Sequence, residues 1–599
     1  MQFSPTAFQS RRSTDSAGRR HGRIRGLLLR AWVLPLVVAA PLLTGCAAAL
    51  PKNVERPVSM AYATPQDTAL GQMIDKARPA AAKPTASAFS LLAGPQNAYS
   101  SRLSLVENAQ KTLDLQYYAI HADESTARLL RGIVQAARRG VRVRVLLDDF
   151  HSTGPDAQVM RLAFVPNIEM RMFNPLAGSR ASTIGRAWTI LTDFQRAQQR
   201  MHNKLFVADN VMAVMGGRNL GDAYFDAAQD SNFVDLDVLV AGPVVKALSS
   251  SFDSYWNNVR AYPVQSLISL QELRQLKARF DAEDASAAST AAAGARRTPG
   301  NAAIWDEKPM DLGQVPWVWA QSAVLADRPT KIPGDSEEFH TEDRGDAPAD
   351  AGAGHNAGTL QLNHPPAAWR HAAAPVLQAD SVVDGLLALV RSARKDLLVV
   401  SPYFVPGPEI MAAFRAARDR GVRVRVLTNS LASNDAPLAH AGYARHRKAL
   451  LEMGVQLYEL RSEPATMRSA LRSGTGGSSG GSNGGSTGIS RAMLHSKLLV
   501  IDGRLVVVGS MNLDMRSQLQ NTEIALLIAS RAFSQQATDS IEEGLPENSW
   551  QVEIDPQGRL VWRAPQDSGL EDTYTEPDAS LGLRLMLKLL GPLAPDSLL

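Results

Sequence analysis

Cysteine is nearly missing from this chain: one residue, Cys46, among 599. A single thiol forms no intramolecular disulfide, and it excludes a zinc finger or a cysteine-ligated iron–sulfur centre. A strong charge imbalance is missing too, since 63 Lys and Arg face 59 Asp and Glu, a formal net charge of +4. With 45% hydrophobic and 20% charged residues, the chain is neither disordered throughout nor a polytopic membrane protein. No group of His, Cys and carboxylates has the spacing of a metal site, so no metal and no cofactor is expected. At roughly 100–200 residues per domain, the length allows two to four domains.

The slight basicity is local. Seven arginines between Arg11 and Arg30 precede an uncharged run from Ala31 to Leu50 that contains Pro35 and Pro41. A basic stretch, an apolar stretch and then small residues describe a secretory signal peptide, and the prolines argue against a membrane-spanning helix. Leu43-Thr44-Gly45-Cys46 resembles the bacterial lipobox, in which the cysteine becomes the lipidated first residue of the mature chain. The resemblance implies a signal peptide over residues 1–45 and a membrane-anchored lipoprotein of the bacterial cell envelope, facing the periplasm. Ala47 is the residue that outer-membrane lipoproteins usually carry. Cleavage before Cys46 leaves 56 of the basic and 58 of the acidic residues, a net charge of −2. A nucleic-acid partner, which needs a basic surface, is therefore not expected.

Residues 46–88, rich in Ala, Pro and Thr, read as a tether. Beyond them Ala137-Arg138-Arg139-Gly140-Val141-Arg142-Val143-Arg144-Val145-Leu146 nearly recurs as Arg418-Asp419-Arg420-Gly421-Val422-Arg423-Val424-Arg425-Val426-Leu427. In both copies a helix capped by glycine runs into a strand of alternating apolar residues and arginines. Each copy has another strand upstream, Leu113 to Tyr118 and Leu397 to Tyr403. This is a duplicated α/β unit, predicted over 89–262 and 379–545. The segment 263–378 between the copies, with its Ala-rich and acidic stretches over 282–358, and a Gly/Ser loop at 474–490 read as surface excursions. Residues 546–599 read as a hairpin and a short apolar helix, Leu581 to Leu590, with Arg584 and Lys588 on one face. That helix suits either the lipid headgroup region or the protein's own core.

The chemistry lies in two matching constellations. His202-x-Lys204-x4-Asp209 is followed after six residues by Gly216-Gly217-Arg218-Asn219, and His495-x-Lys497-x4-Asp502 by Gly509-Ser510-Met511-Asn512. Roughly 0.04 such His-x-Lys-x4-Asp matches are expected by chance at average composition, and here one falls in each copy of a repeat. On a strand–turn–strand hairpin, His and Lys project from one face, the Asp, taken with them as catalytic, sits at the turn, and the return strand brings the Gly and Asn back level with the His. Two imidazoles, two ammonium groups and two amides make a pocket for a phosphate, with Gly217 and Ser510 letting it approach. Such a set suits phosphoryl transfer through a phosphohistidine, one His as nucleophile and the other as acid and base. Asp235 and Glu523 are the candidates for orienting the two imidazoles.

These motifs, with Leu115-Gln116-Tyr117-Tyr118, Gly216 to Phe225, Leu427 to Ala432, His440 to Arg445 and Asn521-Thr522-Glu523, resemble the phospholipase D superfamily and, within it, bacterial cardiolipin synthases of the C type. The resemblance runs from about residue 89 to the C-terminus. It implies an α/β fold of two homologous repeats, each a mixed β-sheet flanked by helices, packed as a pseudo-twofold dimer around one shared active site within a monomer. It implies His202 as nucleophile and His495 as general acid and base. The implied substrates are phospholipids, phosphatidylglycerol and also phosphatidylethanolamine; the lipobox at Cys46 and the Gly/Ser insertion before His495 depart from the family pattern. The implied reaction moves a phosphatidyl group onto phosphatidylglycerol. Hydrolysis to phosphatidic acid and a phospholipase D-type nuclease are the alternatives.

Overall fold

In this computed structural model the described residues are 50–177, 193–228, 231–278, 307–332, 360–363, 379–462 and 491–590, together with Ile190 and Val376. The predicted signal peptide, Cys46, the stretch 333–358 and the Gly/Ser loop at 474–490 lie outside them.

The first repeat contributes strands β1 (Ser87–Ala93), β2 (Thr112–Tyr117), β3 (Arg142–Asp148), β4 (Ile168–Phe173), β5 (Leu205–Ala208), β6 (Met212–Gly216), β7 (Ser231–Val234), β8 (Leu236–Ala241) and β9 (Ala261–Pro263). All except β7 form one sheet in the order β9-β4-β3-β2-β5-β6-β8-β1, parallel at β2-β3-β4 and antiparallel elsewhere. The helix Glu124–Arg138 makes the β2-to-β3 crossover and the 3-10 segment Gly154–Phe164 the β3-to-β4 crossover that parallel strands require. Between the repeats come β10 (Val318–Asp327) and β11 (Leu360–Asn363). The second repeat adds β12 (Asp396–Val400), β13 (Arg423–Asn429), β14 (Gln456–Leu460), β15 (Arg491–Leu494), β16 (Leu498–Ile501), β17 (Leu505–Gly509), β18 (Ile524–Ala529), β19 (Ser549–Ile554) and β20 (Leu560–Arg563). Its order, β19-β14-β13-β12-β16-β17-β18-β10, repeats the first strand for strand.

That equivalence redraws two boundaries. β10, from the segment read as an excursion, is the counterpart of β1: its start pairs with β1 and the rest with β18, which joins the two sheets. β19, assigned to a separate C-terminal piece, is the counterpart of β9 and covers the outer edge of β14, whose backbone groups would otherwise lack partners. The tether is not free over its described part. It forms a helix, Ala69–Ala77, and Pro57 to Tyr62 are strapped to the first repeat. Arg171 and Arg144 donate to the carbonyls of Pro57 and Ser59, Asp253 accepts from Ala61 N, and Asn210 donates to Tyr62 O. The alternating arginines explain this. Arg144 is fully buried, held by Asp114 and Asp253, and spends its remaining donor capacity on the strap.

The repeats share one apolar core. Leu205, Val207, Val238 and Val240 of the first pack in the same cluster as Leu498, Val500, Leu526 and Ile528 of the second, and Phe89 meets Phe533 edge-on at 6.1 Å. Each such side chain contributes about 1.5–3 kcal/mol when fully buried.

Candidate active site

Each hairpin turns on two residues of positive φ, as a tight two-residue turn demands: Asp209 and Asn210 at 52° each, Asp502 and Gly503 at 54° and 60°. The chain entering each motif is then stitched to the opposite repeat. Thr522 N donates to Arg200 O, and His202 N to Thr522 O, at 3.0 and 2.9 Å. β15 likewise pairs in parallel with β7, and His495 N donates to Val234 O at 2.8 Å. The residue after each of these crossing points is a carboxylate. His202 Nδ1 therefore lies 3.0 Å from Glu523, and His495 Nδ1 2.7 Å from Asp235. The two predicted orienting carboxylates are both in place, each serving the histidine of the other repeat. A carboxylate only accepts, so Nδ1 carries the proton and Nε2 of each imidazole keeps its lone pair toward the pocket.

Lys204 and Lys497 stand beside them, donating to His202 O and His495 O at 2.7 and 2.6 Å. Asn219 is held by Ala119 N and by the Tyr224 hydroxyl, whereas Asn512 Oδ1 accepts no hydrogen bond. Rings enclose the site: Tyr118 meets His202 edge-on at 5.1 Å, Tyr224 meets His495 at 5.4 Å, and Phe233 lies 4.9 Å from His495. These rings, like Ser517, were not anticipated as site residues. Tyr118 directly follows β2, at the C-terminal end of a strand beside the pocket, which is the available signal.

Four expected roles change. Asp209 and Asp502 take no part in the pocket. Asp209 accepts from the backbone N–H groups of Gln110, Lys111 and Thr112, and Asp502 from those of Arg394, Lys395 and Asp396, at the far end of each hairpin. They anchor the loops that launch β2 and β12. Ser510 gives its hydroxyl to Glu523 at 2.5 Å instead of to a phosphate. Gly217 makes room for the other pair, since a Cβ there would lie 2.8 Å from the Asp235 carboxylate and 2.9 Å from His495 O.

Burial sets the protonation states. It pushes His202 down to about 4 despite Glu523, and His495 well below its ordinary value, with the two lysines acting in the same direction. Both imidazoles are thus neutral at neutral pH in the empty site. Glu523 is raised by burial, but His202, Lys204 and the Ser510 hydroxyl outweigh this and hold it at about 2. Asp235, with no such hydroxyl, is raised by burial. Burial also lowers Lys204 to about 7 and Lys497 to about 8. An amine is charged below its pKa, so the ammonium pair is complete below about pH 7 and is lost as pH rises through 7 to 8. kcat/KM, which reports the free enzyme, should fall across that window, while kcat holds to higher pH because a bound phosphodiester anion favours the charged lysines. A pH–rate series reads both limbs, and a kcat/KM flat beyond pH 9 would refute this role.

Comparison with known proteins agrees with this geometry. A family model described as "Cardiolipin synthase, PLD-like domain" matches residues 103–256 and 386–544. Cardiolipin synthase C of Escherichia coli (strain K12) is 33% identical over 503 residues, covering 84% of this chain and 94% of its own length. Cardiolipin synthase B of Salmonella typhi is 24% identical over 473 residues, 79% and 84% of the two chains. Among solved structures, a phosphatidylserine synthase of Haemophilus influenzae Rd KW20 covers 85% of this chain and 94% of its own, at 13% identity and a TM-score of 0.49. Two matched segments that together span more than half of the sequence, each holding one His-x-Lys hairpin of a single shared site, place the chain in the phospholipase D superfamily, among the cardiolipin synthases of the C type.

Proposed function

We propose that this protein is a phosphatidyltransferase that makes cardiolipin by moving a phosphatidyl group onto phosphatidylglycerol. The observation that carries the reading is the crossed arrangement of two neutral imidazoles, each with Nδ1 on a buried carboxylate. In the first step the Nε2 lone pair of His202 attacks the donor phosphorus. A P–N bond forms, the bond from phosphorus to the headgroup oxygen breaks, and that oxygen takes a proton from His495. The arriving phosphodiester monoanion charges His495 for this task by offsetting the nearby lysines. In the second step His495 removes the proton from a hydroxyl of phosphatidylglycerol, whose oxygen attacks phosphorus and returns the electron pair to His202. Lys204, Lys497 and the amides of Asn219 and Asn512 hold the charge on the non-bridging oxygens. The phosphodiester bond energy is carried in the P–N bond, so no nucleotide is consumed. Labelled phosphatidylglycerol, alone and with phosphatidylethanolamine, should yield cardiolipin as the main product; a preponderance of phosphatidic acid makes the protein a hydrolase.

The enzyme works at a membrane surface in this reading, anchored through a lipid on Cys46 in the cell envelope. Among the described residues no helix is long and apolar enough to cross a membrane. The helix Leu581–Leu590 packs against the helix Pro437–Glu452 and leaves Leu581, Leu585 and Leu589, one face at four-residue spacing, more than half exposed. Arg584 and Lys588 beside that stripe suit anionic headgroups. A Cys46→Ser protein should co-sediment with phosphatidylglycerol vesicles and lose most of that binding when residues 580–599 are removed. Unchanged binding would end the helix's role.

A further inference from the structure

The two histidine–carboxylate pairs are related by the pseudo-twofold, yet they are not supported alike. In the second repeat Ala326 of β10 pairs with Ile524, so Asp327 comes level with Glu523; in the first, Ala93 of β1 pairs with Leu236, so Gly94 comes level with Asp235. Gly94, at φ 83°, has no side chain to offer. Asp327 is fully buried and holds Glu523 by both backbone groups. Its Oδ2 accepts from Glu523 N, and its own N donates to Glu523 O, each at 2.9 Å. The same Oδ2 receives Lys331 Nζ at 2.8 Å, and Oδ1 accepts from Val382 N. Lys331 then donates to Ser517 O at 2.9 Å. The Ser517 hydroxyl donates to Glu523 Oε1 at 2.9 Å and accepts from Asn512 N at 3.2 Å. Among the described residues, Asp235 has Leu236 N and His495 on its carboxylate and Arg218 on its backbone carbonyl.

We propose that Asp327 and Lys331, on the segment that links the repeats, are positioning residues for the phosphoryl-accepting histidine. Through Glu523 and Ser517 they fix the angle and tautomer of His202, whereas behind His495 it is Arg218 that braces the backbone carbonyl of Asp235, with no side chain among the described residues standing where Asp327 does. The physical case is one of division of labour. A nucleophile must present one lone pair along the line of the breaking bond, and a misplacement of about 1 Å can cost on the order of 10²-fold. The acid and base partner moves a proton across a hydrogen bond and tolerates looser support. The carboxylate behind the nucleophile must also stay ionised, because the imidazole becomes cationic once phosphorylated. Glu523, with hydroxyl donors on both oxygens, meets that need.

This inference rests on the phosphohistidine reading but not on the identity of the lipid product, so its test uses a soluble activated diester, bis(4-nitrophenyl) phosphate. Nitrophenolate leaves without a proton, which makes its burst a measure of attack by His202 alone. Asp327→Asn and Lys331→Met should each slow the burst about 10- to 100-fold, the range seen when an outer partner of a functional histidine is removed. The Kd read from the concentration dependence of the burst should stay within about twofold, and breakdown of the adduct should change no more than that. Lys331→Arg, which keeps a donor, should recover most of the burst rate. Should Asp327→Asn fail to fold, Lys331→Met carries the comparison, because Lys331 lines an open surface cavity with Asp384, Arg391 and Glu409. Folded variants with wild-type bursts, or with attack and breakdown slowed equally, would overturn the assignment. A wild-type protein with no burst would instead fault the phosphohistidine reading, and the steady-state rate with the same diester would then decide whether Asp327 and Lys331 matter.

Discussion

His202→Ala and His495→Ala are expected to be nearly inactive toward lipids and to differ sharply toward an activated donor. Without His202 there is no lone pair to receive phosphorus, and kcat should fall on the order of 10⁴-fold or more for any leaving group. Without His495 the loss depends on the leaving oxygen. An alkoxide needs the proton, so lipid turnover should drop about 10²- to 10⁴-fold. A nitrophenyl headgroup needs none, so the first step survives and the second stalls for want of a base. The His495→Ala protein should therefore accumulate a phosphorylated His202, detectable by acid-labile mass shift, while His202→Ala shows none. The reverse pattern, with adduct on His495 in the wild type, would exchange the roles. We read His202 as the nucleophile, with Glu523 behind it held ionised at about 2 while Asp235 behind His495 is raised.

Asp209→Ala should be the most destabilising change in either motif and should spare the chemistry. Its carboxylate accepts three backbone N–H groups and is wholly buried. Buried donors left without an acceptor cost about 1–3 kcal/mol each, so the loss should be about 3–5 kcal/mol, a large share of a typical 5–15 kcal/mol. Asp502 makes the same three contacts but is partly exposed, so water replaces the carboxylate and Asp502→Ala should lose only about 1–2 kcal/mol. Denaturant titration gives the stabilities, and kcat normalised to burst amplitude gives the activity of the folded fraction. A fall of 10²-fold in that normalised kcat for Asp502→Ala, at unchanged stability, would return the aspartates to the reaction.

These aspartates also mark where the sequence could be read and where it could not. Spacing sufficed for the hairpins, because strand periodicity puts His and Lys on one face whatever surrounds them. The motif counts its aspartate with them, but that residue sits at the turn, and the turn points the other way. Asp235 and Glu523 were recognisable as carboxylates beside apolar strands. That each serves the opposite histidine was not, since the crossing depends on Met201 meeting Thr522 and on β7 meeting β15, contacts between residues some 260 to 320 positions apart. β10 was hidden for a related reason. It reads as part of a variable segment, and only its pairing with both β1 and β18 reveals it as the first strand of the second repeat. Arg144 in a strand looks like a solvent-facing residue until Asp114, Asp253 and the Ser59 carbonyl are brought around it.

That double pairing of β10 bears on how the molecule avoids sticking to others. An open sheet edge is a template for any passing strand, and two separately folded repeats would each present such an edge to neighbouring chains. Here one strand closes both, giving Val318 to Ala320 to the first sheet and Gln321 to Ala326 to the second. The covalent link between the halves thus also blocks strand exchange and aggregation at their join.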